Sequence, residues 1–374
     1  MDLIDWSAAQ RVGELIAGSP PNGGVSAAAV EPLAYDFARR VSAYSGLQVP
    51  DTLPAIEAVD RPTWIAANLK TMQPLLATLT DRMDDDSGRL IGPLRGPMRS
   101  ASGLLLGAQV GALTGMLSQR VLGQYDLALL DASAPPRLLL LAPNLAQAAR
   151  NLGVDRDELV VWVTIHEITH AVQFSGVPWL RDYLGGLLKE LIDGLQISVT
   201  GKRAGDTAGG RLPRIPDAGQ LREMVDRARR GELLRLTIGE DRWQLVERMQ
   251  AAMSLIEGHA EHTMDAIGAE VLPSLPRLRS ALNRRREGRG LPWRVLERLL
   301  GLELKLRQYE MGRRFCDAVV AEGGPPALAR AWRGPESLPS PAELEHPSEW
   351  LARMRTDDAD GDSMYRTHVP PVTS

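Results

Sequence analysis

One pentapeptide, His166-Glu167-Ile168-Thr169-His170, constrains the fold of this chain more than any other segment. It lies in a run that is apolar nearly all round (Leu159, Val160, Trp162, Val163, Ile165, Ile168, Ala171, Val172, Phe174), the pattern of a helix buried on every side. On a helix, residues four apart share a face, so His166 and His170 can present both imidazoles to one point, with Glu167 projecting beside them. Such a pair holds a catalytic metal ion only when a third protein ligand completes the set. The chain must therefore bring a second element, carrying that ligand, against this helix.

Cys316 is the only cysteine, so thiolate clusters and intrachain disulfides are excluded and the third ligand must be His, Asp or Glu. In the pattern H-E-x-x-H-x-x-G-x-x-H a third histidine follows on the same segment, but here those positions hold Gln173 and Gly176. The alternative is a carboxylate on a separate helix, and a long helical stretch from about 241 to 267 offers one. Glu257 sits in an apolar context just before Gly258, where the absent side chain lets two helices approach closely. Glu261, one turn on, shares its face and is expected to orient a liganding imidazole, with Asp265 a second candidate for that role. His259 and His262 point elsewhere on the helix and are candidates for contact with substrate or an oxyanion.

Helical periodicity governs the rest. Helices are expected over 5–17, 27–45, 61–83 and 156–174, the last capped by Asp155 with Glu158 in a capping-box pattern. A further amphipathic helix is expected over 293–322. Two short apolar runs, 125–130 and 137–142, read as a hairpin. The fold class is thus mainly α with a small β element. The segment 201–218, rich in Gly, Pro and Arg, suggests a division into an N-terminal region (1–200) carrying the hairpin and the metal helix and a C-terminal region (219–355) carrying the third ligand. Residues 356–374 are expected to form a disordered tail.

Several function classes recede. A net charge of −4 and few aromatics argue against nucleic acid, so the arginines at 277, 279, 284, 285, 286 and 289 read as a solvated cluster. Residues 100–119 carry no charge, and Gly103, Gly107, Gly111 and Gly115 recur every fourth position, a stripe that also occurs in membrane helix dimers. Six polar residues and the lack of flanking aromatics favour a buried helix packed through glycine instead. The N-terminus has no basic stretch ahead of an apolar one, so cytoplasmic residence is expected.

The chain resembles a known family, the zincin-like metallopeptidases found mainly in actinobacteria, some of which are described as associated with biosynthesis of the deazaflavin coenzyme. The resemblance rests on Ile4-Asp5-Trp6, on Val59 to Trp64 with Asn68, on Gly123-Gln124-Tyr125-Asp126 and on Pro143-Asn144. It continues through the His166 to His170 motif with Gln173-Phe174, Pro178-Trp179-Leu180, Glu257 to Glu261, the set Lys305, Gln308, Tyr309, Gly312 and Phe315, and Pro347 to Trp350. It implies zinc dependence and a hydrolase role. The Glu257-Gly258-x-Ala260 pattern is also similar to that of gluzincin aminopeptidases, in which the glutamate before glycine binds zinc, and this favours Glu257 over Glu261.

The expectation is therefore a Zn²⁺ site of His166, His170 and Glu257, with Glu167 as general base in hydrolysis of a peptide or amide bond. Lys305, Gln308, Tyr309 and Gly312 line one helix face. Should that face meet the metal, Tyr309 is placed to donate to an oxyanion and Lys305 to bind a substrate carboxylate. The rival is a non-catalytic zinc protein serving as a scaffold or partner-binding module.

Overall fold

The computed structural model describes residues 4–21, 23–87, 95–129, 134–201, 240–287 and 302–366. Its twelve α-helices among these residues surround one small sheet. The first four are α1 (Trp6–Ala17), α2 (Ala34–Ser45), α3 (Arg61–Ser87) and α4 (Arg95–Ser118). Next come α5 (Ala142–Leu152), α6 (Arg156–Gly176), α7 (Pro178–Gly201) and α8 (Glu240–Val271). The last are α9 (Leu275–Glu287), α10 (Leu302–Ala329), α11 (Pro341–Glu345) and α12 (Pro347–Arg366).

The sheet has three strands, β1 (Ile56–Val59), β2 (Gly123–Asp126) and β3 (Arg137–Leu141), in the order β1-β3-β2. The expected hairpin is present as β2 and β3, antiparallel, with Gly123 opposite Leu140 and Asp126 opposite Arg137, but its first strand lies at Gly123–Asp126 and not over 125–130. β1, which the sequence reading missed, adds in parallel on the other side of β3. A strand paired on both edges and covered on both faces reads as a continuous apolar run, and Arg-Leu-Leu-Leu-Leu does so. β1, short and interrupted by Glu57, does not; that residue stays near the surface in a bidentate pair with Arg137 (2.8 and 2.7 Å).

The two faces of the sheet pack differently. One carries Leu138 and Leu140 into the main core, which gathers Phe37 and Val41 of α2, Ile165 and Ile168 of α6, Leu255 of α8, Phe315 of α10 and Trp350 of α12. One core thus draws on both regions of the chain. The other face, with Val59, Leu139 and Leu141, is covered by Trp64, Ile65 and Leu69 of α3 and by α1. α1 in turn lies on α4, where a methyl group at Gly107, Gly111 or Gly115 would overlap the backbone of Asp5, Ala9 or Gly13. The glycine stripe thus serves helix packing, and among the described residues no helix is long and apolar enough to cross a membrane.

Three local expectations are corrected. Asp155 caps α6 by accepting from the Glu158 N–H (2.9 Å), but the Glu158 carboxylate meets the Ser274 hydroxyl, which lies just before α9. In the 27–45 segment, two short 3₁₀ turns precede α2, which starts only at Ala34. α12 continues to Arg366, well into the segment expected to be disordered: Trp350, Leu351 and Met354 anchor its first turns in the core, and extending a formed helix costs little. Most of the glycine-rich connection and part of the arginine cluster lie outside the described residues.

Candidate metal centre

α6 and α8 cross at the heart of the main core, and the crossing sets the site. α8 is held against α10 where Gly258 meets Gly312; a methyl group on either glycine would overlap the facing backbone. That close approach fixes α8 beside α6 with the Glu257 carboxylate facing the two imidazoles. His166 Nε2 and His170 Nε2 lie 3.3 Å apart, and Glu257 Oε2 is 3.6 Å from the first and 3.5 Å from the second. Bonds of about 2.0–2.1 Å in tetrahedral directions put neighbouring ligand atoms about 3.3–3.4 Å apart. The three pairs match that spacing to within about 0.3 Å, so the set fits a zinc ion.

Electrostatics point the same way. Burial opposes a charge on His170, but Glu257 outweighs it and raises the imidazole to about 9. Burial also works against the Glu257 carboxylate, yet the two histidines hold it well below the usual range. The trio attracts positive charge to its centre, where protons and a metal cation compete.

His170 is oriented by a residue the sequence reading noted only as a departure from another pattern. Its Nδ1–H donates to Gln173 Oε1 (2.9 Å), and Gln173 Nε2 donates across to α8, to the Ile256 carbonyl and to His259 Nδ1 (2.9 Å each). Gln173 is fully buried and ties α6 and α8 together. The signal for it was a lone amide one turn beyond His170 in an apolar helix, which must find partners there.

Glu167 is also buried. Its Oε2 accepts the Tyr125 N–H of β2 (2.7 Å), while its other oxygen lies where a side chain on Gly123 would stand, 2.8 Å away. Burial lifts its carboxyl above the ordinary range, against the pull of His166 and His170 and the Tyr125 N–H. Leu141 N–H bonds to the Leu122 carbonyl, so by alternation Gly123 and Tyr125 turn their backbone groups away from β3, toward Glu167. Asn68 and Gln124 pair through their amides (3.4 and 3.3 Å), holding β2 to α3.

Other predicted residues go elsewhere. His259 is buried against the Trp332 ring and accepts from Gln173; burial, then His262 and His170, press it down to about 3, so it stands neutral as a buttress. His262 faces α2 and α10, between the Tyr44 hydroxyl (2.7 Å) and Asp317 (2.6 Å). Glu261 lies 3.6 Å from Arg313, and Asp265 pairs with Arg279 and with Arg313 (3.5 Å). Helical geometry explains the two histidines: positions two and five beyond Glu257 point away from its face. Lys305 and Tyr309 lie on α10, with side chains outside the described residues. Cys316 is buried, and burial raises its thiol.

The profile of a family described as zincin-like metallopeptidase matches residues 4–351. A crystal structure from Chloroflexus aurantiacus, described as a "putative hydrolase with a novel fold", superposes with a TM-score of 0.65 at 29% identity, covering 94% of this chain and 99% of that one. A search of curated proteins found no match.

Proposed function

The chain belongs to the zincin-like metallopeptidases, and from that premise we propose that it is a zinc-dependent hydrolase of peptide or amide bonds with Glu167 as general base. The observation that carries the reading is the tetrahedral spacing of His166, His170 and Glu257 with the buried Glu167 carboxylate beside them. Zinc, when bound, supplies a Lewis acid that acidifies water and polarises a carbonyl.

The chain's own residues supply the rest. Glu167 takes a proton from the attacking water and passes it to the leaving amine nitrogen. Burial suits it to that relay by raising its proton affinity, and the Tyr125 N–H fixes one oxygen so that the other is free to hold the proton. Glycine at 123 leaves room for the carboxylate against β2. Apart from the Tyr125 N–H, which Glu167 holds, the outer edge of β2 is the place where an extended peptide would align. Tyr309 donates to the developing oxyanion and Lys305 binds a substrate carboxylate in this scheme.

The test is Glu167→Gln, assayed against a fluorogenic peptide library with zinc content measured in parallel. Full zinc with hydrolysis reduced by at least about a thousandfold supports a peptidase. Full zinc with no hydrolysis in the wild type either would turn the reading toward a zinc-bearing scaffold.

A further inference from the structure

Arg61 and Asn144 come from two segments of the family resemblance that take no part in the metal centre, and they meet at the carboxyl ends of β1 and β3. Arg61 is only 8% exposed. Its Nε donates to Asn144 Oδ1 (2.8 Å), its Nη1 to the Ala17 carbonyl at the end of α1 (2.6 Å) and its Nη2 to Gln147 Oε1 (3.3 Å). All three partners are neutral. Asp60, next in sequence, is turned to the Thr63 N–H, where it caps α3, and Arg61 makes no ion pair among the described residues. Burial alone works on the guanidinium, pulling its pKa down.

A buried cation without a counter-charge is costly. Here it forms the floor of a cavity of about 370 Å³ whose other polar walls are Gln119, Arg120, Asn144, Gln147 and Asn151. Asn144, Gln147 and Asn151 lie along one flank of α5, at i, i+3 and i+7, so the helix presents a row of amides to the space. The floor is rigid. Asn144 Nδ2 is bound to the Ser118 and Val121 carbonyls (2.7 and 2.6 Å), which fixes its oxygen on Arg61. The rim is not: Gln147 is exposed and its bond to Nη2 is the longest of the three, so an incoming anion can displace it.

We propose that this cavity is a second binding site, separate from the metal centre, for a small phosphorylated molecule with a hydroxylated body. The Arg61 guanidinium takes the phosphate through Nη2, freed from Gln147, and the second Nη1 hydrogen, while Nε stays on Asn144 and the other Nη1 hydrogen on the Ala17 carbonyl. The volume exceeds what one phosphate fills and lies in the range of small-molecule sites. Amides both donate and accept, and so suit hydroxyl groups on the remainder of the ligand.

Isothermal titration of the zinc-loaded protein with ribose 5-phosphate, inorganic phosphate, ribose and citrate, at matched ionic strength, tests the site. Saturable binding of ribose 5-phosphate, weaker binding of phosphate and none of ribose is expected. Gln147→Glu places a carboxylate beside Arg61 as an internal counter-ion; it should keep the fold and weaken ribose 5-phosphate by about tenfold or more. His170→Ala, which cuts into the metal centre alone, should leave that binding unchanged. Loss of binding in His170→Ala, unaltered binding in Gln147→Glu, preference for citrate, or no saturable heat on folded wild type would each overturn the proposal.

Discussion

α1 and α4 meet through Gly107, Gly111 and Gly115, the first against the backbone of Asp5 that caps α1 and the others against α1 itself; α8 and α10 meet through Gly258 and Gly312, each against the other helix. The device is the same, a missing side chain that brings two helix backbones together, but the consequences differ. The first seam lies beyond the sheet and positions no residue of the metal centre. The second lies next to Glu257 and fixes how far that carboxylate stands from His166 and His170. Close helix packing is thus a general structural means here, and chemistry depends on which residue sits beside the contact.

Zinc affinity and thermal stability separate the two seams. The largest loss of zinc affinity is expected from Gly258→Ala, whose methyl group must push α10 away and turn Glu257 off the imidazoles; it should bind well under one zinc per chain by elemental analysis. Gln173→Ala comes next. It removes the acceptor that orients His170, and such losses typically weaken metal binding by about 10–100-fold, measurable by competition with a chromophoric chelator. Protons should act on a comparable scale. Because Glu257 raises His170 to about 9 against the effect of burial, an imidazolium must give up its proton before zinc binds below that pH. Affinity should therefore rise by about tenfold per pH unit between pH 6 and 8 and level off above about 9. The smallest effect on zinc is expected from Gly111→Ala, which should lower stability by about 1–3 kcal/mol through overpacking in a melting experiment while leaving zinc stoichiometry unchanged. Loss of zinc in Gly111→Ala would erase the distinction between the seams.

The same contrast shows what the sequence made legible. The α1–α4 seam announces itself because its glycines repeat on one helix. The α8–α10 seam takes one glycine from each of two distant segments: Gly258 was read as a close-approach point through its place beside Glu257, whereas Gly312 was noted only on a helix face and not as a packing contact. His166 and His170 could be read because their spacing is local helix geometry. Gln173, which orients His170, could not be assigned because its partners, Ile256 and His259, arrive from another helix. His259 and His262 were expected near substrate, but their directions depend on Trp332, Tyr44 and Asp317, which only the tertiary fold supplies. β1 escaped notice because four residues with Glu57 among them carry too little pattern, and a parallel partner on β3 is invisible without the long crossover between them.

The central claim is that His166, His170 and Glu257 together hold one zinc ion. Elemental analysis of the purified wild type and of Glu257→Ala, with folding checked by circular dichroism, tests it directly. About one zinc per chain in the wild type and a large loss in the folded variant is the result predicted here; undiminished zinc in folded Glu257→Ala would contradict it.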